Sequence, residues 1–279
     1  VEPSNIILRR RWFRGDVLAC SPILHAVGRR HPKANLFFET DVGGVLANNP
    51  LLAEPAQAVI NHHNDTQVWD LGNFAGTLGW HLVDIMAANQ FKPGEVEHRL
   101  EMFPTAKHMQ WADSVTPFDG AIVLAPGPGA WVGRNWPSDR WNNLIEKLLP
   151  DYSVIVVGTL DRYKYHLLPQ VYDLRGKTDE MQLAALMAHA KLVVGIDGFP
   201  LHVAGAMRTP RIGLFGITQP ELILCDAPWR AVYSDPAHPM TGARHKVRFM
   251  SEARCRTDNN PMLTITVDQV LGTIREALR

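Results

Sequence analysis

The stretch Leu192–Gly216, LVVGIDGFPLHVAGAMRTPRIGLFG, constrains this chain more than any other. A short apolar run, Leu192–Ile196, stops at Asp197 and passes through Gly198-Phe199-Pro200 into a helix-like segment opening near Leu201–His202. A second apolar run, Ile212–Phe215, is closed by Gly216. Strand, tight turn, helix and strand in this order make one βαβ unit, which commits the surrounding chain to a parallel sheet. The turn places an acidic side chain beside backbone N–H groups at a helix N-terminus, a ready anion site.

The rest of the chain repeats the alternation. Asn5–Leu8 reads as a buried strand, followed by RRRWFRG and Asp16. Val17, Leu18, Ile23, Leu24 and Val27 fit a helix ending near Arg29–His31. Leu36–Phe38 and Val68–Leu71 are strand-like, Gly43–Leu52 and Pro55–Ile60 suggest a helix and its connection, and His81–Asn89 is helix-like. Pro93–Pro117 is polar, mixed in charge and bounded by prolines, so it reads as the linker between an N-terminal unit (1–117) and a C-terminal unit (118–279).

Beyond it, Ala121–Leu124, Ser153–Gly158 and Val171–Leu174 are strands. Ser138–Leu149 and Thr178–Ala190 are helices, with Ser138 and Thr178 as expected caps. After Pro220 the pattern turns irregular, and Thr266–Arg279 closes the chain as an amphipathic helix. The fold class is therefore α/β, two halves with helices on both faces of parallel sheets and a cleft between them. Ligands of such sheets bind beyond the carboxyl ends of the strands. Asp16, Arg134, Asp161 and Asp197 all follow strands.

Composition narrows the function classes. In 279 residues, 28 Lys and Arg balance 28 Asp and Glu, so no global charge draws the chain to nucleic acid. No apolar run approaches the ~20 residues of a membrane span. The first residues lack a signal peptide's apolar core, and Cys20, Cys225 and Cys255 give no disulfide framework, which points to the cytoplasm. The histidines, among them His62, His63, His81, His98, His108, His202, His238 and His245, form no HExxH and meet no paired CxxC. Cys225, His238, His245 and Cys255 are too loosely spaced for a metal signature, and no metal is expected.

Three constellations carry candidate chemistry, each with a plainer reading beside it. In Arg14-Gly15-Asp16 the carboxylate either caps a helix or serves as a general base at the cleft. The loop Pro126–Pro137, PGPGAWVGRNWP, either packs its tryptophans or presents Arg134 to phosphate. Asp197 either caps the following helix or faces a ligand, and His202 is either a satisfied core histidine or part of the same site. The basic run Arg9–Arg11 with Arg14 is either an exposed strand end or a positive rim for an anionic acceptor.

The order and wording of these motifs resemble glycosyltransferase family 9, the ADP-heptose:lipopolysaccharide heptosyltransferase family. GDVLACSPILHAVGRRHPKANLFF is similar to the family's N-terminal segment, and His81 and Asp84 stand as its H-x-x-D. APGPGAWVGRNWPSDRW resembles its PGA…K-x-W-P motif. DLRGKTDEMQLAALMAHAKLVVGIDGFPLHVAGAMRTPRIGLFG resembles the long motif ending L-[FY]-G.

The resemblance implies a GT-B fold, two Rossmann-like domains facing each other, and inverting, metal-independent transfer from a nucleotide-diphosphate sugar such as ADP-heptose to an acceptor hydroxyl. It puts Asp16 at the general base and Arg134 at a lysine facing the diphosphate. Asp197 falls at the sugar-holding aspartate, Asp161 near the ribose-binding acid, and Gly198, Phe199, Leu201 and His202 in the diphosphate turn. Arg11 and Arg14 then fall on the acceptor side, and the final helix is expected to pack back on the N-terminal domain. Where the family has Asp-Ser/Thr-Gly, this chain has Asp197-Gly198-Phe199, a departure that bears on the donor. A protein or modified nucleic-acid acceptor, and a non-catalytic nucleotide-sugar-binding protein, are the alternative functions.

Overall fold

A computed structural model describes residues 2–11, 13–53, 65–72, 79–115, 120–127, 131–160, 168–225, 228–242 and 259–279. Two parallel sheets organise them. In the first, β1 (Asn5–Arg9), β2 (Asn35–Glu39) and β3 (Thr66–Asp70) lie in the order β2-β1-β3. Ile6 stands level with Leu36 on one side and Gln67 on the other. In the second, β4 (Ile122–Ala125), β5 (Val154–Val156), β6 (Tyr172–Asp173), β7 (Leu192–Ile196), β8 (Arg211–Phe215) and β9 (Trp229–Tyr233) lie in the order β6-β5-β4-β7-β8-β9. Numbered within that sheet, this is the 3-2-1-4-5-6 order of a doubly wound dinucleotide-type fold. Its winding reverses between β4 and β7.

The helices follow from the patterning. α1 (Arg14–Leu18) and α2 (Ser21–Arg30) connect β1 to β2; the break between them precedes Pro22 in the first turn of α2. α3 (Leu82–Ala87) and α4 (Ala106–Val115) lead to the second sheet, where α5 (Ser138–Leu148), α6 (Glu180–His189) and α7 (Phe199–Ala206) connect its strands and α8 (Val267–Ala277) closes the chain. Every residue of β4, β5, β7 and β8 is buried, as a sheet covered on both faces requires.

Alternation along β4 sorts the two faces. Ile122 and Leu124 join Trp141, Leu144, Val270 and Ile274 in one core. Val123 and Ala125 enter the other, which also holds Ile6, Leu8, Ile23 and Met86 of the N-terminal half and Met181, Ala184 and Val203 from α6 and α7. One apolar core is thus shared by both halves.

Several local expectations change. Residues 43–49 form turns rather than a helix, because Gly44 and Asn48 sit at φ of +76° and +60°, which breaks helical hydrogen bonding. The segment read as a linker contains α4, which packs on α6 and joins it through His189 Nε2–Asp113 Oδ1 at 2.9 Å. Val96, Leu100 and Met102 of the same segment are buried in the shared core. The cap of α6 is Asp179, in a capping box with Gln182, rather than Thr178. Pro137, not Ser138, occupies the cap position of α5. β9 lies in the tail read as irregular.

The final helix does not cross to the N-terminal domain as the resemblance implies. Its apolar face, Val270, Leu271 and Ile274, instead fills the core of the second sheet against α5. Thr266 caps it in a second capping box with Gln269. Pro55–Ile60 and His62–His63 lie outside the described residues.

Candidate active site

The reversal of winding between β4 and β7 opens a crevice at their carboxyl ends, and the residues that follow these strands meet there. Arg134 lies in a 3-10 turn, Val132–Arg134, after β4. Asp197 directly follows β7. Arg134 Nη2 stands 2.9 Å from Asp197 Oδ2, both side chains largely buried. The same oxygen accepts the hydroxyl of Thr218 at 2.7 Å. Thr218, fully buried, comes three residues after the end of β8. The Arg134 guanidinium also lies over the Trp131 ring, 4.1 Å from its centroid, and its buried Nε has no hydrogen-bond partner among the described residues.

The turn that carries Arg134 is pinned from three sides. Gly133 O accepts the amide of Ile217 at 3.4 Å, Asn135 O accepts Asn260 Nδ2 at 2.9 Å, and Trp136 Nε1 donates to Ile265 O at 2.9 Å. Gly216 is a glycine of necessity: a Cβ there would fall well inside 3.0 Å of Gly133 O. The plain reading of Asp197 as a helix cap fails, since Gly198 is the cap residue of α7 and receives no side-chain cap hydrogen bond.

The turn itself is sparer in amides than its sequence suggests. Pro200 has no N–H, and the amides of Leu201 and His202 both approach Gly198 O, at 3.1 and 3.4 Å. Gly198 and Phe199 are left as the amides that can meet an anion. Gly198 has φ −174°, extended backbone open to any residue, so the departure from Ser or Thr is not imposed by conformation. Phe199 is half-buried against the shared core, and Leu201 is buried beside Phe215, Ile223 and Leu224. Both side chains pack against these clusters.

His202 lies at the seam between the halves. A Cβ on Gly15 of α1 would meet His202 Cδ2 at 3.4 Å, so α1 and α7 pack backbone against ring. Burial pushes the imidazole down to about 4; Asp197 opposes this, while Arg211, Arg134 and His81 add to it. His202 is thus neutral at neutral pH, with a buried Nδ1 that has no partner among the described residues.

On the N-terminal side, Asp16 occupies the first turn of α1 without capping it, and its Oδ2 pairs with Arg10 Nη2. Arg10 reaches this place across Gly72, whose φ of +90° favours glycine and where a Cβ would fall 2.7 Å from Arg10 Nη1. Arg9 and Arg11 share Glu39 at 2.9 and 3.2 Å, which holds that carboxyl below its ordinary range. Arg9, Arg10, Arg11, Asp70 and Leu71 line an open depression at the carboxyl ends of β1 and β3. Arg14 bridges the seam to Glu180 Oε1 at 2.5 Å.

His81 caps α3 through Nδ1, donates Nε2–H to Leu224 O at 3.2 Å, and stacks on His98, which pairs with Asp84 at 3.1 Å. His81 therefore fastens the two halves, while Asp84 holds His98 and the amide of Gly94 within the N-terminal half. Asp161, His245 and Cys255 lie outside the described residues. Among those described, no three His, Cys, Asp or Glu groups gather as metal ligands, and no helix is long and apolar enough to cross a membrane.

Sequence reasoning missed Arg10, hidden in a basic run, and Thr218, an ordinary residue in GITQP. The second has a positional signal in hindsight: it follows the strand next to β7, where the crevice lies.

A family model described as glycosyltransferase family 9 (heptosyltransferase) matches residues 91–235, which include Arg134, Asp197, His202 and Thr218. The chain belongs to that family. It is 48% identical over 284 residues to lipopolysaccharide heptosyltransferase 3 of Escherichia coli, covering 74% of this chain and 82% of that protein. Among solved structures, a family 9 glycosyl transferase from Veillonella parvula matches with a TM-score of 0.76 at 14% identity, over 100% of this chain and 98% of its own. The E. coli ADP-heptose lps heptosyltransferase II matches with 0.70 at 16% identity, over 99% and 98%. The family member described here therefore has the GT-B fold, two Rossmann-like domains facing each other across a cleft, and is a glycosyltransferase.

Proposed function

We propose that this glycosyltransferase moves a heptose from ADP-heptose to a hydroxyl of a lipopolysaccharide-type acceptor, inverting the anomeric centre, with Asp16 as general base. The observation that carries the reading is the meeting of the Arg134–Asp197–Thr218 cluster, at the switch point of the second sheet, with the helix bearing Asp16, through the contact of His202 with Gly15.

The chemistry follows from the charges. Asp16 takes the proton of the acceptor hydroxyl as its oxygen forms a bond to the anomeric carbon. The bond from that carbon to the diphosphate breaks, and ADP leaves with the electron pair. Positive charge grows on the sugar ring and negative charge on the phosphate. Arg134 and the amides of Gly198 and Phe199 are preorganised for the leaving charge, and the buried Nε of Arg134 has no hydrogen-bond partner among the described residues. Asp197 holds the donor sugar, and Asp161 takes the ribose.

Arg10 engages only one oxygen of Asp16 and so fixes the carboxylate while the other serves the acceptor. Arg11 and Arg14 are the acceptor-side cations of this reading, each drawn from a carboxylate partner, Glu39 and Glu180, when an anionic acceptor docks. No step of this scheme uses a metal.

Incubation with ADP-heptose and a heptose-accepting core oligosaccharide tests the reading. Product with inverted anomeric configuration, read from its one-bond carbon–proton coupling, is expected; retention, or turnover only with another nucleotide sugar, contradicts it.

A further inference from the structure

We infer that Thr218 is a positioning residue that sets the sugar-holding face of Asp197. The inference rests on the donor assignment above and goes beyond it. Among the described residues Asp197 Oδ2 accepts the Thr218 hydroxyl at 2.7 Å and lies 2.9 Å from Arg134 Nη2 in an ion pair, so both partners fall on the same oxygen. A hydrogen bond and an ion pair converging on one oxygen hold Oδ2 in place. Oδ1 carries no hydrogen bond from the described residues and is the oxygen left to accept from a sugar hydroxyl.

Thr218 is held by the backbone that also holds Arg134. Ile217 donates its amide to Gly133 O, inside the turn that ends at Arg134, and Gly216 packs on the same carbonyl. The three residues that leave β8 therefore set both partners of the Arg134–Asp197 pair, one through backbone and the other through a hydroxyl. This explains why Thr218 is completely buried although its hydroxyl must be satisfied; the carboxylate satisfies it.

Without the hydroxyl the carboxylate is free to turn, and the forked guanidinium of Arg134 can then engage both oxygens, the usual arrangement for arginine and carboxylate. That arrangement takes Oδ1 from the sugar. Loss of the hydroxyl is therefore expected to cost affinity for the sugar end of the donor more than for its nucleotide end.

The test compares Thr218→Val, which keeps the packing volume and loses the hydroxyl, with Thr218→Ser, which keeps the hydroxyl and loses a methyl. Dissociation constants for ADP-heptose and for ADP are measured by calorimetry on wild type and both variants, with melting temperatures in parallel. The expected result is that Thr218→Val weakens ADP-heptose about tenfold more than it weakens ADP, while Thr218→Ser stays within threefold of wild type for both.

Equal weakening of both ligands by Thr218→Val, or a harmless Val with a harmful Ser, overturns the positioning role and leaves the donor assignment standing. Wild-type protein that binds ADP but gains nothing from the heptose overturns the donor assignment, and the role of Thr218 with it.

Discussion

Burial keeps the His202 imidazole uncharged down to a pH of about 4, against 6.5 for an exposed histidine, and this difference makes the fold sensitive to acid. Between those two values the unfolded chain binds a proton at this site and the folded chain does not. Stability therefore falls as pH drops through that window, and the contribution is fully present above about 6.5. The loss attributable to His202 is about 2 kcal/mol at pH 5 and about 3 kcal/mol at pH 4.

For a chain of this size about 2 kcal/mol corresponds to a fall of about 4 °C in melting temperature. The perturbation is His202→Gln, which removes the titrating group from the seam. Melting curves of wild type and variant at pH 7.5 and 5.0 give the difference in acid sensitivity, and other titrating groups cancel between the two proteins. The variant should lose about 4 °C less than wild type over that interval. Equal losses would refute the argument that His202 is buried neutral.

Two further substitutions test how the site is built. Gly216→Ala pushes a Cβ against Gly133 O and so displaces the turn carrying Arg134. It should cost about 1–3 kcal/mol of stability, read by thermal melting, and weaken ADP binding at least about fivefold, because Arg134 moves with the turn. Phe199→Ala removes a half-buried ring from the shared core. It should lower stability by about 1–2 kcal/mol while donor affinity, read by calorimetry, stays within about threefold, the outcome expected of a ring that packs on the core; a larger loss of affinity would instead place the ring against the donor.

Much of the fold was legible because the strands of the second sheet are continuous apolar runs with sharp ends. Leu192–Ile196 is bounded as it was read, and the spacing of the runs places β4 and β7 side by side once the doubly wound order is assumed. α4 was missed because it buries little of its own surface; only Ala112 is fully covered, so its sequence resembles a solvated linker. Its place is set by α6, a contact that no local pattern announces. The destination of α8 was misread for a similar reason. An amphipathic face shows that a helix is covered and says nothing about which surface covers it.

The candidate site was legible where a residue type and a turn coincide, as at Asp16, Arg134 and Asp197. It was not legible where a role depends on a partner far along the chain. Arg10 is one arginine among three until Asp16 accepts it, and Thr218 is an ordinary threonine until its hydroxyl meets Asp197. The turn at Gly198 and Phe199 drew attention for its altered residues. Its weakness as an anion site has another source: Pro200 lacks an amide, and the next two amides are spent on Gly198 O. In the proposed reaction Arg134 therefore carries more of the leaving charge than the helix terminus does.

If Asp16 acts on the acceptor proton and the cluster around Arg134 holds the donor, chemistry and donor binding separate. Asp16→Asn keeps the shape of the side chain and removes its basicity. Measured on one preparation, heptosyl transfer should fall at least about 100-fold while the dissociation constant for ADP-heptose stays within about threefold of wild type. Transfer at the wild-type rate, or donor binding lost in step with transfer, would contradict the account.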